Sequence, residues 1–337
     1  MGIKAVGKYK LVITLERRIP YFDKLMGFAV FFPQSEKAVK KSVKLNTITW
    51  SVQKTPSTSY NLYQSGKLDY TSLDSSQTKQ LKSTKGYTTL NQGATFYMQF
   101  NIAKNKYLAN TNIRKAISLA VKRKGLVSLL GGNNLAANTL TPPGLTDVNG
   151  KDYTNLLSSS AESLYPSSTK KSEAVKYLNK GLKQLGVSKF SFKILADDTD
   201  SVKKTAELLQ SNIEATFSSK VSVTVQNLPF KTRLSRSTSG NFDLVISGWS
   251  ADFADPISFL DLFTSTNSEN NGKWKNATYD KLIADSKTTS STSKRWSDLT
   301  KAENILLKDA GVAPLYYSTT ASLIRPSVKG VIQNRGT

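Results

Sequence analysis

Phe242–Phe263 reads F-D-L-V-I-S-G-W-S-A-D-F-A-D-P-I-S-F-L-D-L-F, and the order of its residue types decides the fold class. Its first part, Phe242–Ser247, is apolar apart from Asp243, the composition of a strand buried on both faces. Gly248 breaks the run. Asp255-Pro256 then opens an amphipathic segment, with Asp255 placed as a cap and Pro256 at the first helical position. Gly248–Ala254 is therefore expected to be a strand-to-helix loop. In α/β folds ligands collect beyond the carboxyl ends of the strands, where such loops lie. This one carries an aromatic, Trp249, and a carboxylate, Asp252.

Working outward, the preceding stretch alternates regularly. Val175, Leu178, Leu182 and Leu185 form a helical stripe ended by Gly186. A strand at Phe190–Leu195, a helix from Ser201 to about Phe217 and a strand at Val221–Leu228 follow. A polar stretch with Arg233 and Arg236 then leads back to the central strand. Such alternation predicts a mostly parallel sheet. Beyond the loop, helices are expected near Thr278–Ser286 and Lys294–Leu307, then strand-like Ala313–Tyr317 and Ala321–Arg325.

Towards the N-terminus the pattern predicts strands at Tyr9–Leu15 and Leu45–Ser51, and short helices at Asn61–Leu68 and Leu73–Lys82. A strand at Ala94–Asn101 precedes a helix from about Ile113 to Leu130, capped by Asn112 and stopped by Gly131-Gly132. Asn133–Ser168, rich in Asn, Thr, Pro, Gly and Ser, reads as long irregular surface.

Composition removes several function classes. The chain has 337 residues, enough for two lobes with real cores, and its 38% apolar content describes a folded protein. There is no cysteine and no histidine. That excludes disulfides, thiolate metal sites, the usual zinc ligands, and Ser-His-Asp or Cys-His catalysis. The longest apolar run, Leu25–Pro33, is too short to cross a bilayer. The net charge of +23 suits a polyanionic partner, nucleic acid or an anionic cell surface, but lysine spread among serine and threonine also simply keeps a protein soluble. No G-x-x-x-x-G-K-[ST] loop is present, so the chain is not a transport ATPase. Asp197-Asp198-Thr199-Asp200 lacks the Gly and distal Glu of a calcium loop and reads as helix capping. No cofactor or metal is expected, and no enzymatic activity.

The stretch G-W-S-A-D-F-A-D-P-x-x-F-L resembles the signature of the oligopeptide-binding proteins of bacterial ABC importers, the family 5 solute-binding proteins. Other segments fall in that family's order. They are Tyr60–Asp69, Phe96–Asn101 with Ile113–Ala120, Thr141–Gly144, and Ala313–Tyr317. Each motif is weak alone; five in the right order are fairly specific. The resemblance implies an α/β, two-lobed, periplasmic-binding-protein-like fold of type II, cluster C, with an incomplete first lobe. Relative to the family the chain looks truncated at its N-terminal side, and it lacks the usual several tens of residues near Glu36–Leu45. Neither a signal peptide nor a lipid-anchor cysteine is seen. The implied division gives 1–101 plus 247–337 to the remnant of lobe I, and 102–246 to lobe II.

What the resemblance implies about function is capture of oligopeptides between two lobes, hinge closure, and delivery to ABC permease subunits at the outer side of the membrane. The protein would be a monomer that binds no nucleic acid. The family's matching carboxylate, here Asp252, pairs with the ligand's α-ammonium; a loop Asp bonding its own backbone is the plainer alternative. Gly248 and Ser250 can offer backbone groups to an extended peptide, and Trp249 can pack over ligand side chains or into the core. Tyr97 and Tyr316 lie on strands that reach the cleft in the family. A peptide-pheromone receptor of the same fold is one alternative. A basic nucleic-acid-binding protein is another, from a different class.

Overall fold

The computed structural model describes residues 2–7, 10–26, 47–53, 55–131 and 133–330. The Glu36–Leu45 region, most of the run Leu25–Pro33, Tyr9 and Gly132 lie outside the described residues. The strands are β1 (Gly2–Val6), β2 (Lys10–Thr14), β3 (Tyr70–Ser72), β4 (Tyr87–Phe100), β5 (Leu135–Ala136), β6 (Asp147–Val148), β7 (Lys151–Asp152), β8 (Phe190–Asp197), β9 (Val221–Leu228), β10 (Leu244–Ser250) and β11 (Val312–Ile324). The helices are α1 (Phe22–Leu25), α2 (Pro56–Gln64), α3 (Ser75–Leu81), α4 (Thr111–Ala120), α5 (Arg123–Leu130), α6 (Ser159–Glu162), α7 (Lys171–Leu185), α8 (Asp200–Phe217), α9 (Phe230–Thr238), α10 (Ile257–Leu260), α11 (Ala277–Thr288) and α12 (Thr292–Lys308).

The main sheet has the order β3-β11-β4-β10-β8-β9, with β5 added on β11. Only β8–β9 and β8–β10 are parallel; β10–β4, β4–β11, β11–β3 and β11–β5 are antiparallel. The expected mostly parallel sheet is thus a mixed one. The strand-helix alternation that suggested it is confined to β8-α8-β9-α9-β10, while the long strands β4 and β11 pair antiparallel from distant parts of the chain. Ala313–Tyr317 and Ala321–Arg325 merge into the single strand β11, with register shifts at Pro314/Tyr316 and Ser318/Thr319. A proline inside a strand is tolerated at such an irregularity.

Side chains alternate between the two faces of the sheet. Met98, Phe100, Leu244 and Ile246 join a core with α4, α7 and α8, built on residues such as Ile117, Leu178 and Leu209. Tyr97 points into the other core, with Phe259, Phe263, Tyr279, Leu299 and Leu306 from the segment after β10. That second core also holds Leu140, Val148, Tyr153 and Leu157, so the segment read as irregular surface is a packing element. Its backbone is satisfied by a fully buried carboxylate. Glu303 accepts from the Leu140 and Thr141 N–H groups, both at 2.9 Å, and from the Thr141 hydroxyl at 2.7 Å. Buried main-chain donors need such partners wherever no ladder supplies them.

The second core joins residues on either side of position 246, and β10 itself crosses that position. The helix expected from Ile113 to Leu130 is two helices, broken where Val121 is extended. The buried Arg123 explains the break: its guanidinium donates to Ser118 O at 3.0 Å and Pro314 O at 2.8 Å, tying the end of α4 to β11. The cap of α4 is Asn110 rather than Asn112. The polar stretch with Arg233 and Arg236 forms α9.

At the N-terminal side, β1 pairs only with β2 among the described residues. Residues 47–53, which include the described part (47–51) of the expected strand Leu45–Ser51, form no regular structure. Ile48, Trp50 and Val52 are 65%, 85% and 94% exposed, since no described strand lies beside them to bury their alternating face.

Candidate functional site

The pairing of β10 changes along its length. On one side all of Leu244–Ser250 pairs with β4. On the other, β8 reaches only Leu244 and Val245. In an antiparallel ladder alternate residues turn both N–H and C=O to the partner. Asn101 N–H donates to Asp243 O at 2.8 Å and Ala251 N–H to Gly93 O at 3.0 Å, so the odd-numbered residues between them face β4. Gly248 and Ser250 then turn their N–H and C=O groups to the opposite edge, where no described strand pairs with them. The strand runs through Ser250, so these residues lie on β10 and not in the expected loop; the loop begins at Ala251.

Gly248 leaves room for a ring. A Cβ there would lie 3.0 Å from the Phe96 ring, and Phe96 stacks on Tyr316 with ring centroids 4.7 Å apart. Trp249 projects to the other face and packs, half-buried, against the second core. Its buried indole N–H has no hydrogen-bond partner among the described residues. Tyr97 and Tyr316 are 5% and 3% exposed. Tyr97 meets Phe263 edge-on at 5.6 Å, while Tyr316 sits in the first core. Burial pushes both hydroxyls well above the ordinary tyrosine range. The structure places these two rings behind β10, in opposite cores.

Asp252 stands exposed just past the end of β10. Its N–H donates to Ser258 Oγ at 2.8 Å, and the same hydroxyl donates weakly back to its carboxylate at 3.5 Å. Partial burial raises its pKa above the ordinary aspartate value, opposed by the bond from Ser258. Ser258 is fixed in turn from below. Asp255 precedes the cap position of α10, which Pro256 holds in place of the expected first helical position, and accepts from Ile257 N–H at 3.1 Å. It is itself wholly buried, held by a two-pronged bond from Arg295 at 2.7 and 3.0 Å and by Lys24 at 3.2 Å. Charge-assisted, bidentate pairs of this kind are the strongest and most directional available to a side chain. Asp255, expected as a cap, is thus part of a larger support that reaches Asp252 through Ser258, whose N–H donates to Asp255 O at 3.1 Å.

Sequence reasoning passed over two features nearby. Arg295 sits on α12, far along the chain from Asp255, and only the fold brings them together. Beyond the end of β8, the buried Arg233 lies 3.9 Å from Asp197, with its guanidinium 5.0 Å over the Phe230 ring. Asp197 also accepts from Thr199 N–H at 3.0 Å just before α8. A cavity of about 120 Å³ lies beside the loop, lined by Asn91, Gly93, Pro143, Leu145, Ala251 and Phe253. Among the described residues there is no cluster of acidic side chains that could hold a metal ion, and no helix is long and apolar enough to cross a membrane.

Comparison with known proteins gives this geometry a context. The family model described as bacterial extracellular solute-binding proteins, family 5 Middle, matches residues 7–271. A dipeptide-binding protein of Lactococcus lactis subsp. cremoris is 29% identical, over 98% of this chain and 70% of its own length. The dipeptide-binding protein DppE of Bacillus subtilis is 28% identical, and the chain spans 55% of it. Among solved structures, Listeria monocytogenes OppA bound to peptide superposes with a TM-score of 0.81 at 32% identity, covering 98% of this chain and 72% of that one. The pheromone receptor PrgZ, in a structure describing its mode of peptide binding, gives a TM-score of 0.78 at 30% identity over 97% of this chain and 72% of that one.

Proposed function

The chain belongs to family 5 of the bacterial extracellular solute-binding proteins, with an α/β fold of the periplasmic-binding-protein kind, and from that premise we propose that it binds peptides along the open edge of β10. The carrying observation is the change of pairing along that strand. Gly248 and Ser250 present two N–H and C=O pairs in strand geometry, the arrangement by which an added strand gains sequence-independent main-chain bonds. Asp252, one step past the strand end, is the partner of the peptide's α-ammonium, a charge-assisted bond in a partly dehydrated setting. Trp249 braces the edge from the opposite face. Tyr97 and Tyr316 serve as its packing support and not as ligand contacts, because both are buried. No step of covalent chemistry is assigned to the ligand.

The finer reading is a substrate-binding component of an ABC importer at the outer side of the membrane. Its two lobes close on the peptide, and a permease receives it. The division into 1–101 with 247–337 and 102–246 is kept as the lobe assignment, with β10 crossing between the two at position 246. The pheromone receptor among the relatives supports a signalling variant of the same binding mode.

The test is a thermal melt with a mixed pool of short peptides, at low and high salt, beside the same pool N-acetylated. A ligand specific to the native state raises the midpoint by mass action. A salt-resistant rise with free peptides, diminished by acetylation, is expected. A rise only with nucleic acid, abolished by salt, would instead favour the polyanion-binding reading.

A further inference from the structure

The outer face of α7 carries a row of lysines. Lys176, Lys180 and Lys183 recur at i, i+4 and i+7, so they form one stripe opposite the buried Ala174, Leu178 and Leu182. All three are exposed, and none has a carboxylate within salt-bridge distance among the described residues. Two further cations are drawn up beside them. Lys115 of α4 lies 5.7 Å over the Tyr177 ring, and Lys220 donates to Asn179 Oδ1 at 2.8 Å.

The helices on the opposite side of the sheet are built otherwise. On α11 and α12, Lys281 pairs with Asp285, Lys294 with Asp298, and Lys287 reaches Asp261, which leaves Lys301 and Lys308, a full two turns apart, as the exposed cations of α12 without a carboxylate in reach among the described residues. Like charges at i, i+4 disfavour a helix, so the stripe on α7 costs some local stability that interleaved acids would have removed. The α7 face also carries no large exposed apolar side chain. A specific protein partner would want an apolar or aromatic centre there, and a single-stranded nucleic acid would want stacking rings. A flat array of phosphates needs neither.

We propose that the α7 face docks on the surface of an anionic phospholipid bilayer, with Lys176, Lys180 and Lys183 at its centre and Lys115 and Lys220 at its margins. The contact is electrostatic and reversible: lysines settle among lipid phosphates and displace counterions without burying apolar surface. It leaves the open edge of β10 uncovered by any residue of the stripe, and it does not rest on the peptide-binding reading.

The test is co-sedimentation of the whole chain with phosphatidylcholine vesicles, with and without about one-third phosphatidylglycerol. Binding is expected only with the anionic lipid and is lost as salt rises. Each lysine contributes about fivefold in partitioning near such a surface. Lys176→Gln/Lys180→Gln/Lys183→Gln should therefore weaken binding on the order of 100-fold. The matched substitution to Arg should keep it, which separates loss of charge from loss of fold. The control is Lys275→Gln/Lys301→Gln/Lys308→Gln, which removes the same charge on the other side of the sheet and should weaken binding far less. Equal loss in both sets would overturn the proposal, leaving only net charge. So would absence of anionic-vesicle binding, or a duplex DNA bound more tightly than vesicles through the same three lysines.

Discussion

The two halves of β10 are one strand with two fates. Leu244 and Val245 are paired with β4 on one side and β8 on the other, and with Ile246 they are buried in the sheet's interior. Gly248–Ser250 keeps β4 but has lost β8, and its outward polar groups face an edge with no described partner. The first half has the composition of a core and the second that of a contact surface: two small residues around one aromatic that leans the other way. Stability resides in the closed half and in the Asp255–Arg295 support. Recognition belongs to the half where pairing runs out.

The largest effect is expected from removing the support. Arg295→Ala strands Asp255 as a buried charge with only Lys24 left, and such a loss costs about 3–5 kcal/mol; denaturant unfolding reads it directly. In the closed half, Ile246→Ala should cost roughly 2–5 kcal/mol, the range for deleting a packed aliphatic side chain. Any peptide affinity should survive in the fraction that remains folded. In the open half, Gly248→Val forces a side chain into the Phe96 ring and off its stack on Tyr316. A destabilisation of about 1–3 kcal/mol is expected, with loss of peptide binding, because the new branch also crowds the edge. A variant that kept full affinity would break the distinction drawn between the halves.

The smallest stability effect and the sharpest functional one coincide at Asp252. Asp252→Ala should move stability by no more than about 0.5 kcal/mol, as for an exposed side chain. Peptide affinity should fall about 10–100-fold, the worth of one charged hydrogen bond. The pH dependence follows from the same group. Burial raises its pKa above the ordinary aspartate value, and only the ionised form pairs with an ammonium. Affinity should therefore weaken as pH falls through that raised value, starting at a higher pH than an ordinary aspartate would give. The Ala variant should show no such limb in a calorimetric titration.

Much of this was legible in the residues. The apolar run before Gly248 is a buried strand, α7 ends at Gly186 in a left-handed cap, and a short helix follows Asp255-Pro256. What failed to show was whatever depends on partners distant in sequence. A strand's free edge is defined by where pairing with its neighbour stops, and nothing in G-W-S says that β8 parts from β10 after Val245. The antiparallel partners β4 and β11 carry no signal of their direction. Asn133–Ser168 looked like surface because its buried apolar residues have no period, and the carboxylate that satisfies its backbone, Glu303, lies on a helix much later in the chain. Tyr97 and Tyr316 read alike in sequence yet enter opposite cores, because their strands put them on opposite faces.

Amide hydrogen exchange across β10, resolved residue by residue with and without a saturating short peptide, tests the central claim most directly. Without peptide, Ser247 and Trp249 should be protected by their bonds to β4, while Gly248 and Ser250 exchange fast. With peptide, Gly248 and Ser250 should slow markedly and the odd-numbered amides should change little. Peptide binding that left Gly248 and Ser250 unprotected would show that the open edge is not where the ligand lies.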